Sequence, residues 1–138
     1  MKNKAFFILT IFISLFAVVF TFSSCKSTST EELWYNYSDN SVYVTLDANY
    51  TTGYEWTVTI DGASVQLKEE AYTPHDAPSG MVGVGGTWSC TLEAICDGDA
   101  TVNFTYSRPW DKTDIAETRT LQISVRNSKI NSVQEVVE

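Results

Sequence analysis

A single histidine, His75, and three cysteines, Cys25, Cys90 and Cys96, are the residues of this 138-residue chain best suited to nucleophilic or acid–base chemistry. His75 sits between Pro74 and Pro78, with no nucleophile signature beside it. A pair with Cys90 or Cys96 would have to be held within hydrogen-bond reach. A solvated loop histidine and packed cysteines account for the same residues. Gly83-Val84-Gly85-Gly86 lacks the Lys-Ser/Thr of a phosphate loop and leads into a strand pattern, which excludes a nucleotide site. Asp97-Gly98-Asp99 is a turn signal, and no Asp-x-Asp-x-Asp-Gly spacing supports a cation. No catalysis, cofactor or metal is therefore expected. What remains is recognition by shape. Three stretches suit it, each setting small or rigid residues beside an aromatic one: Asn49-Tyr50-Thr51-Thr52-Gly53-Tyr54-Glu55-Trp56, Gly83-Val84-Gly85-Gly86-Thr87-Trp88 and Arg108-Pro109-Trp110.

The elements that carry these stretches alternate with period two. Val42, Val44 and Leu46 share one face of a strand, as do Tyr54, Trp56, Val58 and Ile60 of the next. Val65 and Leu67 begin a third strand that ends near Tyr72. A turn-rich loop follows from Thr73 to Gly86. Trp88, Cys90, Leu92 and Ala94 then share a face, and beyond the Asp97-Gly98-Asp99 turn so do Ala100, Val102, Phe104 and Tyr106. After a loop over 107–117, Leu121, Ile123 and Val125 close the pattern. Short strands without a helical period, in roughly 100 residues, predict an all-β fold: a single-domain, immunoglobulin-like antiparallel β-sandwich. The loops at Asn49, Gly83 and Arg108 are each separated from the next by an even number of strands. They are therefore predicted to cluster at one end of the sandwich. Trp56 and Trp88 fall on core-facing positions, whereas Trp110 follows a proline in a loop and is read as a contact residue. Cys90 and Cys96 fall on one strand about 20 Å apart if it stays extended, too far for a disulfide unless the strand ends between them.

In order and spacing, the three stretches resemble the loops of the chagasin-like inhibitors of papain-family cysteine peptidases. The family pattern is Asn-Pro-Thr-Thr-Gly-aromatic-x-Trp, then Gly-x-Gly-Gly, then Arg-Pro-Trp, and the likeness covers roughly Leu33 to Arg126. It implies the same sandwich and a reversible, non-covalent inhibitor that blocks a papain-like cysteine peptidase. By that resemblance Asn49, Tyr50, Thr51, Thr52 and Gly53 form a central wedge. Gly83, Gly85 and Gly86 let backbone approach the enzyme closely, and Arg108, Pro109 and Trp110 anchor the flank. Tyr50 stands where the family has proline; it keeps bulk but loosens the backbone by ~0.4–1 kcal/mol. The other reading is a lipid-anchored binding or adhesion module that keeps the sandwich without inhibiting.

The N-terminus carries an address. Lys2 and Lys4 precede an almost wholly apolar run from Ala5 to Phe22, and Ser23-Ser24-Cys25 follows. This resembles a bacterial lipoprotein signal, which implies cleavage before Cys25 and acylation of its sulfur. An uncleaved anchor is the alternative, since about 18 apolar residues can just span a bilayer. Either way the domain is expected outside the cytoplasm and tethered to a membrane. The expected divisions are a signal peptide at 1–24, a polar tether at 25–32, the sandwich at 33–126 and a tail of open structure at 127–138. Cleavage removes two lysines and no acids, leaving seven basic residues against seventeen acidic ones, a net charge of −10. Such a surface excludes nucleic acid as a partner.

Overall fold

The computed structural model describes residues 33–137. The signal peptide, cleavage site and tether expected from the sequence lie outside the described residues. Eight strands run in chain order as β1 (Tyr35–Tyr37), β2 (Ser41–Ala48), β3 (Glu55–Asp61), β4 (Val65–Pro74), β5 (Gly86–Ala94), β6 (Gly98–Arg108), β7 (Asp111–Arg126) and β8 (Lys129–Glu135). They form two four-stranded sheets, ordered β1-β2-β5-β4 and β3-β6-β7-β8, with every pairing antiparallel. The all-β sandwich expected from the alternation is the fold found.

Burial follows the alternation. In β2, Val42, Val44, Leu46 and Ala48 are buried, while Tyr43, Thr45 and Asp47 face solvent. Trp88, Leu92, Val102, Phe104, Leu121, Ile123 and Val125 meet them from the neighbouring strands with almost no exposure. Trp56 and Trp88 both belong to this core, their rings 6.2 Å apart. The Trp56 indole also crosses between sheets, donating from Nε1 to the Asp47 carbonyl at 2.9 Å. That bond satisfies a donor whose burial would otherwise be costly.

Three features depart from or extend the sequence reading. Residues 127–138 contain a full strand: β8 pairs along β7 and buries Ile130 and Val133, so the domain continues past Arg126 to Glu135. The turn that allows this places Asn127 and Ser128 at φ 55° and 59°, and the Asp97 carboxylate accepts hydrogen bonds from both of their amides. Asparagine tolerates the left-handed region; serine does so at a cost that these two bonds offset. Second, the expected loop at 107–117 is largely a hairpin. Arg108 pairs with Asp111, leaving Pro109 and Trp110 alone at the tip, with two register shifts just below it. Third, β5 ends at Ala94, so Cys96 lies in the turn beyond it, donating from Sγ to the Ala63 carbonyl at 3.1 Å. Cys90 and Cys96 are both free thiols. Burial pushes the Cys90 thiol up to about 12, with the Glu70 charge adding to the effect, so it stays protonated at neutral pH.

Candidate functional site

The register fixes which loops share an end. Gly86 at the start of β5 pairs with both Ala48, the last residue of β2, and Pro74, the last of β4. In the other sheet Glu55 at the start of β3 pairs with Ser107 near the end of β6. The β2–β3 loop (49–54), the β4–β5 loop (75–85) and the β6–β7 tip (109–110) therefore emerge together, as the even strand count predicts.

The β2–β3 loop is built around Asn49. Its backbone is extended, and its Oδ1 accepts from the Thr51 amide at 3.2 Å and the Thr51 hydroxyl at 2.6 Å. That caps a single 3₁₀ turn over Tyr50–Thr52. The Thr52 hydroxyl donates to the Asn49 carbonyl at 2.6 Å, and the Gly53 amide donates to the Tyr50 carbonyl. Gly53 closes the turn at φ 81°, in the region that glycine enters without penalty. Both threonine hydroxyls are thus engaged within the turn, which leaves a stiff, exposed projection.

Asn49 also joins the loop to its neighbours. Its Nδ2 donates to the Gly83 carbonyl at 3.0 Å, tying in the β4–β5 loop. Its amide donates to the Tyr106 hydroxyl at 2.7 Å, tying the turn to β6. On the other side the Trp110 ring lies over Gly53: a Cβ added to Gly53 would sit 2.6 Å from Trp110 Cη2. All three stretches meet at the β2–β3 loop. Trp110 nonetheless remains 73% exposed, and its role as a core cover is excluded by that figure.

The hairpin is held from below by Arg108. Its guanidinium carbon lies 4.8 Å from the centre of the Tyr54 ring, and its Nη1 pairs with Asp114 Oδ2 at 3.0 Å. The Tyr54 hydroxyl donates to the other oxygen of the same carboxylate at 2.7 Å. This bond is the first cause of the raised Tyr54 pKa, because it favours the protonated phenol. Tyr106 stacks on Trp56 at 5.0 Å and lies 5.4 Å from Tyr54, so an aromatic column runs from the core to the hairpin.

The sequence-predicted residues divide by position. Tyr50, Thr51, Thr52, Gly83, Pro109 and Trp110 are exposed, and Asn49, Gly53, Gly85 and Arg108 are half-buried. Gly86 is set apart: it is buried, and a Cβ there would meet the Thr73 carbonyl at 2.5 Å and the Tyr72 ring at 2.6 Å. The missing side chain of Gly86 makes room for Tyr72. Gly85 similarly admits the Ala48 carbonyl, 3.1 Å from where a Cβ would stand.

Several residues of this end escaped the sequence reading. Tyr72 stacks on Tyr50 with ring centres 4.1 Å apart, and Met81 and Val82 stand exposed on the β4–β5 loop, Val82 at 93%. Adjacent apolar residues inside a Pro- and Gly-bounded loop were the available signal, since nothing at such a position can reach a core. The Tyr50 phenol has a raised pKa, caused first by burial and then by the Glu70 and Glu55 charges. His75 is occupied locally, its Nε2 2.9 Å from the Thr87 hydroxyl. Among the described residues no group of three or more His, Cys, Asp or Glu side chains is placed to hold a metal ion.

Comparison with known proteins agrees with this architecture. Residues 37–125 match the chagasin family peptidase inhibitor I42. Amoebiasin-2 of Entamoeba histolytica is 28% identical over 112 residues, covering 81% of this chain and 88% of that protein. The crystal structure of the cysteine protease inhibitor EhICP2, from the same organism, superposes with a TM-score of 0.54. That pair is 28% identical, covering 61% of this chain and 77% of the other. This chain belongs to the chagasin family of peptidase inhibitors, whose members are inhibitors and not enzymes.

Proposed function

We propose that this protein is a reversible, non-covalent inhibitor of papain-like cysteine peptidases, and that it blocks the catalytic cleft with the edge assembled around Asn49. The observation that carries the reading is the joining of all three stretches at one projecting turn, by the Asn49–Gly83 hydrogen bond and by Trp110 over Gly53. EhICP2, with the same fold, is described as a cysteine protease inhibitor, which supports a peptidase partner for this chain. Tyr50 to Gly53 form the wedge, with the exposed β4–β5 loop on one side and Trp110 on the other. A turn closed by internal hydrogen bonds does not offer an extended peptide bond in attack geometry, so it occludes without being cut. No covalent step is involved. A standard interface of ~800 Å² per partner fits an edge of three loops.

Residues 26–138, produced without the N-terminal segment, test this against a panel of papain-like peptidases. Competitive inhibition that survives blocking of the enzyme's catalytic thiol is expected. Full peptidase activity at micromolar protein would refute it and favour a binding module of the same fold. We further propose that the chain is a lipoprotein, anchored through acylated Cys25 to a bacterial membrane with its domain outside the cytoplasm. The intact mass of detergent-extracted protein checks this, and residues 1–24 still attached would refute it.

A further inference from the structure

We propose that Asp114, which lies outside the three loop motifs, and Tyr54, the aromatic residue of the first, are the positioning residues that set Trp110 for its partner, with Arg108 as their intermediary. The inference deepens the inhibitor reading and rests on it. The register that pairs Glu55 with Ser107 sets Tyr54 beside Arg108 one step further up. There the guanidinium stacks on the Tyr54 ring, while one carboxylate on β7 grips both groups, Oδ1 taking the Tyr54 hydroxyl and Oδ2 taking Arg108 Nη1. The triad joins the end of the β2–β3 loop to β6 and β7 immediately below the two-residue tip. Its three members restrain one another, and a planar guanidinium can lie over a ring and pair with a carboxylate at once in a way an ammonium cannot.

Two observations argue that this arrangement serves presentation more than stability. The ion pair is partly exposed, with both side chains more than a third accessible, and such pairs add little to folding. Arg108 Nε is meanwhile buried with no hydrogen-bond partner among the described groups. A purely stabilising arginine would not be expected to leave a donor stranded, because that has a cost of its own. What the triad does fix is the hairpin's tilt, which determines whether the Trp110 ring lies over Gly53. Holding a large exposed ring in one place before the partner arrives reduces the ordering cost of binding. Arg108 is then committed inward, so its main effect on binding passes through Trp110, and direct pairing with the enzyme is secondary.

Asp114→Asn keeps the shape and removes the charge, and Tyr54→Phe keeps the ring and removes the hydroxyl. In each, inhibition should weaken by about three- to tenfold, the cost of leaving one or two side chains to be ordered on binding. The change should appear in the dissociation rate, with the melting temperature within a few degrees of the parent. A second readout is independent of any peptidase. Trp110 over Gly53 should shift the Gly53 Hα resonances upfield by its ring current, and both variants should lose part of that shift. Asp114→Glu should restore it in part. Should the parent inhibit while both variants keep its affinity and its Gly53 shift, the inference is overturned. A large fall in melting temperature on Asp114→Asn would overturn it too, by making the triad a stability element. A parent that fails to inhibit rejects the inhibitor reading instead, and the Gly53 shift alone then decides whether the triad places the ring.

Discussion

Gly53→Ala tests the centre of the edge, because two separate demands converge on that residue. The first is conformational: φ 81° and ψ 8° lie in the left-handed region, which costs an L-residue about 1–2 kcal/mol. Reduced freedom of the unfolded chain returns ~0.4–1 kcal/mol, so the net loss of stability is of order 1 kcal/mol. For a domain of this size that lowers the melting temperature by roughly 4–8 °C. The second demand is steric. The new Cβ would stand 2.6 Å from Trp110 Cη2, well inside the ~3.5–4.0 Å at which carbon atoms rest. Since Trp110 is exposed on a two-residue tip, the ring yields by about 1 Å and the backbone stays. The steric part therefore costs little in folding and more in binding. If Trp110 is a hot spot worth ~2 kcal/mol, a misplaced ring loses much of that, and inhibition falls about tenfold or more. The assay is a double-mutant cycle on the inhibition constant, with a melting curve for every variant. In a Trp110→Ala background, Gly53→Ala retains its backbone cost but has no ring to displace. A coupling of at least ~1 kcal/mol is expected in binding, with near-additivity in melting. Additivity in binding to within about 0.3–0.5 kcal/mol would refute the contact between ring and glycine.

Two further outcomes separate folding from contact. Trp56→Ala, which empties a site 5% exposed in the core, should cost roughly 3–5 kcal/mol and lower melting sharply. Trp110→Ala should leave melting nearly unchanged and weaken inhibition about thirtyfold, and a stability loss equal to that of Trp56→Ala would return the ring to the core. In residues 26–138 a thiol reagent at pH 8 should modify Cys96 at once and Cys90 only after denaturant is added, because Cys90 is buried and its thiol is held up at about 12. Unfolded, that thiol ionises near 9.0. Between 9 and 12 the unfolded chain releases a proton that the folded one keeps, so the stability Cys90 contributes is whole below 9 and falls as pH rises. Cys90→Ala should flatten that part of the alkaline melting profile.

Strands were legible wherever one face meets the core, since alternation is a record of burial. Val42 to Leu46, Trp88 to Ala94 and Ala100 to Tyr106 all read correctly for that reason. The first part of β7 did not, because from Asp111 to Thr118 only Asp114 is even half-buried, and a strand that leaves the sandwich has no apolar face to reveal it. β8 was hidden differently. Its core side chains, Ile130 and Val133, are three apart and not two, across a register shift between Ser124 and Val125. Its entry turn, Asn127-Ser128, lacks the glycine that marks such hairpins and depends on Asp97, thirty residues away, to hold it. The site shows the same division. Loop identities were readable from type and spacing, and Asp111 and Asp114 were the acids within reach of Arg108, of which Asp114 is the one paired. Tyr72 and Tyr106, which hold the loops in place, became visible as partners only once the register was known.

Tyr50 shows how a local rule can be broken and its effect recovered by packing. Proline would stiffen the wedge through its own ring; tyrosine forgoes that, at ~0.4–1 kcal/mol. In the folded protein the Tyr50 ring stacks on Tyr72 with centres 4.1 Å apart and planes 16° from parallel. Aromatic pairs of this kind contribute about 0.5–1.5 kcal/mol beyond the area they bury, enough to offset the loss. The pair depends in turn on Gly86, since any side chain there would collide with the Tyr72 ring and with the Thr73 carbonyl. Asn49 closes the arrangement, capping the turn from one side while its amide group holds the neighbouring loop. Rigidity that the family pattern places in one residue is here spread over Tyr50, Tyr72, Gly86 and Asn49. The wedge is consequently as sensitive to changes in β4 and at the start of β5 as to changes in its own sequence.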